Sequence, residues 1–125
     1  MTLDPSAPEI HVACLCAAWC RVCESYAAVF DEVRRGWAGP GPRPVWHWID
    51  IEDESERVGD LDIETFPMLL VADASAVRFA GPVAPDARTL SRLLRALLDP
   101  AQAPPRWPAV PGAVTELGRR LCGGQ

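Results

Sequence analysis

An almost uncharged run, His11 to Ala18 (HVACLCAA), leads through Trp19 into Cys20-Arg21-Val22-Cys23 and then into a helical pattern. No other stretch constrains the fold as strongly. The run has the length and apolar character of a buried strand. Downstream, Val22, Tyr26, Val29, Phe30 and Val33 recur at helical spacing in ESYAAVFDEVRR. Two cysteines three apart at the start of a helix stand roughly 5–6 Å apart on one face, within reach of a disulfide. The first of them falls at the helix N-terminus, where unpaired N–H groups and the macrodipole favour negative charge. Such a junction suits reversible thiol–disulfide exchange.

The chain has 125 residues, enough for one domain with a core of its own and short for two. Hydrophobic residues make up 49% and charged residues 23%, as in ordinary globular proteins. No apolar run approaches the roughly 18 residues of a membrane span, so no membrane role is expected. The first ten residues, MTLDPSAPEI, lack a basic n-region and an apolar h-region, which reads as a cytoplasmic chain without a secretory signal. The net charge is −5 and all basic residues are arginine, with no basic stripe, so nucleic acid is a poor partner. Five cysteines in such a chain point to redox or metal chemistry rather than a structural disulfide framework. Cys14, Cys16, Cys20 and Cys23 fall close together, and Cys122 stands alone.

The pattern predicts a strand over Glu9–Cys16, a helix over Cys20–Arg35, and a Gly/Pro-dense loop over Gly36–Pro44. A second, aromatic and β-branched strand follows over Val45–Ile51. Glu52–Asp62 is acidic, a solvated face with a helical turn or two. After Phe66-Pro67, Met68–Ala72 and Ala76–Ala80 form a hairpin around Asp73-Ala74-Ser75, and Gly81-Pro82 ends the sheet. Asp86 is the expected N-cap of a helix whose stripe is Leu90, Leu93, Leu94, Leu97 and Leu98. Residues 99–110, with Pro100, Pro104, Pro105 and Pro108, read as a linker. Val114, Leu117 and Leu121 mark a short tail helix ending at Gly123-Gly124. The order strand, helix, strand, short helix, strand, strand, helix gives an α/β fold. Its sheet is mixed, with the first two strands parallel and helices on both faces.

This order, with WCRVC at Trp19–Cys23 and Phe66-Pro67, resembles the thioredoxin superfamily, reduced to its minimal core. Asp31-Glu32 falls where thioredoxins often carry that pair, and Gly81 where a glycine closes their hairpin. Pro67, which lies 44 residues beyond Cys23, matches the family's cis-proline. The resemblance covers residues 9–98, within a domain spanning 1–98. Residues 99–125, a Pro-rich linker and a short helical tail, have no counterpart in ordinary thioredoxins.

The resemblance implies a thiol–disulfide oxidoreductase in which Cys20 is the nucleophile and Cys23 the buried resolving thiol. Arg21 would support the charge on Cys20, and Trp19, Phe66 and Pro67 would meet the substrate. The partners implied are a protein or small-molecule disulfide and an external reductant, such as a reductase or glutathione. The chain would act as a monomer, with no cofactor and no metal. Two departures stand out. Thioredoxins usually bury an acid six positions before the first cysteine, with a lysine partner on the next strand. Cys14 and Trp48 take those places, leaving water or Glu52 to move protons, and Arg21-Val22 replaces the Gly-Pro that usually separates the cysteines. Cys14 and Cys16 share one strand face. They read as small core residues, or as auxiliary thiols one of which pairs with Cys23 or holds a sulfenate; in the place of the usual buried acid, Cys14 would lie near Cys23. One alternative is an interaction module whose turnover has decayed. Another is a metal site built from Cys14, Cys16, Cys20 and Cys23 with His47 in reserve, although C-x-C-x3-C-x2-C is not a usual zinc spacing.

Overall fold

A computed structural model of the chain describes residues 9–17, 20–39, 43–53, 56, 67–73, 76–84, 86–99, 101, 104, 106–107 and 109–122. Strand β1 (His11–Cys16) is buried along its whole length, as its uncharged sequence requires of a central strand. It pairs in parallel with β2 (Val45–Asp50) and antiparallel with β3 (Met68–Ala72), which pairs antiparallel with β4 (Val77–Pro82). The sheet is therefore mixed, in the order β2-β1-β3-β4. The hairpin runs further than the sequence suggests. Gly81-Pro82 does not end the sheet but belongs to β4, with Pro82 opposite Met68. Proline is tolerated there because β4 is an edge strand, which needs no N–H on its outer side.

Helix α1 (Arg21–Arg35) follows β1 and buries Cys23, Tyr26, Phe30 and Val33, one stripe at helical spacing. Helix α2 (Ala87–Leu98) buries Leu90, Leu94 and Leu98, and its N-cap is the expected Asp86. The Asp86 carboxylate accepts from the Thr89 N–H at 2.9 Å and from the Thr89 hydroxyl at 2.7 Å. Both helices cover one face of the sheet, packing on Val12, Cys14, Cys16, Leu69 and Val71. The opposite face, formed by Ala13, Leu15, Ile49, Leu70, Ala72 and Val77, is covered by helix α3 (Gly112–Cys122) through Val114, Leu117 and Leu121. The tail helix thus packs directly on the sheet. Gly118 lets it approach, since a Cβ there would lie 2.9 Å from Val77 Cγ2 and 3.3 Å from Ala72 Cβ.

Of the segment Glu52–Asp62, only residues 52, 53 and 56 are described, all exposed. The Ala74-Ser75 turn and Gly123-Gly124 lie outside the described residues. Among the described residues, no helix is long and apolar enough to cross a membrane.

Candidate functional site

The C-terminal end of β1 delivers the chain into α1, and the sharp change of direction sets four cysteines against one another. Cys20 is the N-cap residue, extended at φ −87° and ψ 116°, and its side chain makes no capping hydrogen bond. Ala17 fixes this turn. Its carbonyl accepts the Cys20 N–H at 3.0 Å, and its backbone opposes the upward shift of the Cys23 pKa. Cys20 is half-buried, whereas Cys23, one turn into the helix, is buried.

Cys23 lies in one buried cluster with Cys16 and Cys14, and Cys20 packs against it. Burial first, and then the Cys16 contact, push its pKa well above the ordinary thiol range. Cys16 is shifted upward further, by its bond to Cys14 and by burial. The Cys14 and Cys16 sulfurs stand 3.7 Å apart. The thiols therefore form a series Cys20, Cys23, Cys16, Cys14 leading from the rim into the core. Cys14 is expected near Cys23 and shares its buried cluster, and of the two strand cysteines Cys16 is the one that acts on the Cys23 thiol. Strand periodicity puts both cysteines on one face, and Cys16 is the one at the end of β1 where the helix starts.

Other residues take separate places. Arg21 is exposed on the first turn of α1. Pro67 is buried immediately before β3, and β1–β3 pairing sets the neighbouring Met68 across from Leu15. Trp19 and Phe66 lie outside the described residues. Glu52 is exposed and its N–H donates to Asp50 at 2.9 Å, while Cys14 stands beside Trp48 in the β1–β2 register. His47 does not join the cysteines. It pairs in register with Ala13 and stacks on His11, with Nε2 2.8 Å from His11 Nδ1. Among the described residues, no group of three or more His, Cys, Asp or Glu side chains is placed to hold a metal ion.

Sequence reasoning passed over two members of this site. Tyr26 is buried beside the strand thiols with its hydroxyl lacking a partner among the described residues, and burial raises its pKa, with Cys14 and Cys16 adding to the shift. Its helical spacing marked it only as core. Ala17 acts through its backbone, which no side-chain pattern reveals.

No family model matches the sequence, and neither does any curated protein. Solved structures do match the fold. The germline-specific thioredoxin Deadhead of Drosophila melanogaster is 15% identical, with a TM-score of 0.57 over 69% of this chain and 78% of that one. A thioredoxin-2 described as a component of malaria parasite protein secretion machinery is 14% identical, with a TM-score of 0.59 over 70% and 82%. A mutant thioredoxin from Halobacterium salinarum is 14% identical, with a TM-score of 0.59 over 73% and 76%. The chain has a thioredoxin-like fold. At such low identity it is a divergent form of it.

Proposed function

We propose that the protein is a thiol–disulfide oxidoreductase working through Cys20 and Cys23. The observation that carries this reading is the pair itself. A half-buried cysteine stands at the N-cap of a helix that follows a buried strand, and a buried cysteine three residues on lies on the same helix face, its thiol shifted by the first. The thioredoxin-like fold adds support. Cys20 attacks one sulfur of a substrate disulfide, a mixed disulfide forms, and the other sulfur leaves as a thiol. Cys23 then attacks Cys20 Sγ, releasing the reduced substrate and closing the Cys20–Cys23 bond. The raised pKa of Cys23 suits this order, because it keeps the second thiol protonated until the first has engaged. An external reductant returns the dithiol.

On this reading the substrate is a protein or small-molecule disulfide, and Trp19, Phe66 and Pro67 form its contact surface, with Pro67 as the cis-proline. Arg21 supports the charge on Cys20, and the protein acts as a cytoplasmic monomer. Insulin reduction driven by dithiothreitol tests the mechanism: Cys20→Ser and Cys23→Ser should each abolish the protein's acceleration. Activity of Cys20→Ser at the parent rate would sink it. Redox titration against glutathione then sets the direction, with a value near about −270 mV marking a reductant and one near about −120 mV an oxidant.

One observation favours a second reading, an interaction module with little turnover. Where a carboxyl and its lysine would relay protons, Cys14 stands beside Trp48. Stable capture of partners without measurable insulin reduction would promote it.

A further inference from the structure

Exchange through Cys20 and Cys23 uses two thiols, yet four lie in series. Cys23 is the branch point: it shares one buried cluster with Cys16 and Cys14, Cys20 packs against that cluster from the rim, and both Cys16 and Cys20 act on the Cys23 thiol. Helix α1 lies across the strand face that carries Cys16, so Cys16 and Cys23 approach from separate elements and are not fixed at a strand spacing. The Cys14 and Cys16 sulfurs stand 3.7 Å apart, but the two residues lie two positions apart on one extended strand, a Cα separation of about 6.6 Å at the long end of what a disulfide spans.

We propose that Cys16 is a third redox thiol and that Cys23 exchanges its disulfide partner between Cys20 and Cys16. The proposal rests on reading Cys20–Cys23 as the redox pair and deepens it. In the exchange, Cys16 attacks Cys23 Sγ of the Cys20–Cys23 disulfide. The Cys16–Cys23 bond forms, the Cys20–Cys23 bond breaks, and Cys20 leaves as a thiolate that takes up the proton Cys16 gives up. No electrons are gained or lost overall, so no outside oxidant is needed once the first disulfide exists. The oxidising equivalent then sits in the core, out of reach of bulky reductants, while Cys20 is a free thiol at the rim. Cys16 is buried, so it does not meet incoming substrate and does not compete with Cys20 there.

Trypsin separates the partners, because it cuts after Arg21 and leaves Cys14, Cys16 and Cys20 on Met1–Arg21 and Cys23 on Val22–Arg34. Cys20→Ser retains four of the five cysteines. Oxidised with diamide, it should lose two of those thiols to a single Cys16–Cys23 link, found by fragmenting the joined peptides. Adding Cys16→Ala should abolish that link. Persistence of all four thiols, or a link from Cys23 to Cys14 or to another chain, would overturn the proposal. Should Cys20→Ser fail to fold, native parent protein alkylated at Cys20 with iodoacetamide serves in the same mapping. In unmodified parent given one equivalent of diamide and quenched at intervals, the Cys16–Cys23 fraction should rise as Cys20–Cys23 falls. A Cys16–Cys23 fraction that stays at zero would overturn the exchange. Insulin turnover is a separate readout, and its absence counts against the oxidoreductase reading without touching the Cys16–Cys23 bond.

Discussion

Arg78 is held by three different groups at once. Its guanidinium pairs with the buried Asp73 carboxylate at 2.8 Å, donates to the Leu97 carbonyl at 2.8 Å, and lies 4.9 Å from the Trp107 ring centroid. It therefore joins the hairpin, the end of α2 and the segment beyond it. Arg78→Leu removes the positive partner and leaves a buried carboxylate, so it should cost about 3 kcal/mol, measured as a lower urea midpoint at constant m. Tyr26 predicts the opposite sign. Its hydroxyl is buried with no partner among the described residues, so Tyr26→Phe removes a desolvated group and little else. Stability should be unchanged or rise by about 1 kcal/mol. A loss of more than about 1 kcal/mol would mean the hydroxyl is bonded after all.

At the scale of elements, α3 and α2 make separate predictions. Gly118→Ala gains about 1 kcal/mol of helix propensity but pushes a methyl against Val77 and Ala72, where overpacking costs typically about 1–3 kcal/mol. Val77 is β-branched and stiff and Ala72 lies on a central strand, so the net effect should be a lower Tm. Adding Val77→Ala should return part of the loss, a non-additivity that thermal unfolding of the double variant reads directly. The Asp86 cap sets a pH dependence. Its pKa is lowered, first by the backbone N–H of Thr89 and then by the Thr89 side chain. A lowered folded value means that stabilisation is present above the unfolded carboxyl value of about 3.9 and is lost as pH falls through the lower folded one. Asp86→Ala should therefore melt below the parent at pH 7, with the gap closing below about pH 3.9.

The elements also show what the sequence could and could not disclose. α1, α2 and the buried strands were legible because each helix carries its own apolar stripe, α2 also its Asp86 cap, and the strands their uncharged runs. Which strand cysteine acts on Cys23 was not. Periodicity places Cys14 and Cys16 on one face, and it is Cys16 that stands at the end of β1 where the chain turns into α1. The true end of β4 was hidden because Gly81-Pro82 breaks central strands and is tolerated at an edge.

Over the whole molecule, the two faces of the sheet are covered by different kinds of sequence. One face takes α1 and α2, each with a long apolar stripe. The other takes α3, whose three buried apolar side chains meet Ala13, Leu15, Ile49, Leu70, Ala72 and Val77. That docking surface is assembled from four strands distant in sequence, so reading the tail in isolation shows a short amphipathic helix and not its seat. Burial of Val114, Leu117 and Leu121 contributes about 1.5–3 kcal/mol each, a sum comparable to the roughly 5–15 kcal/mol by which a whole domain is stable. The segment leading to α3 also carries Trp107, which covers Arg78. A chain cut after Leu98 should therefore lose cooperative unfolding and expose an apolar sheet face, although it keeps Cys20, Cys23 and every strand. Dye binding by the truncated chain together with a flattened thermal transition would show this. A sharp transition within a few degrees of the full chain would mean that α1 and α2 suffice. The four thiols would then rest on one face of the sheet alone.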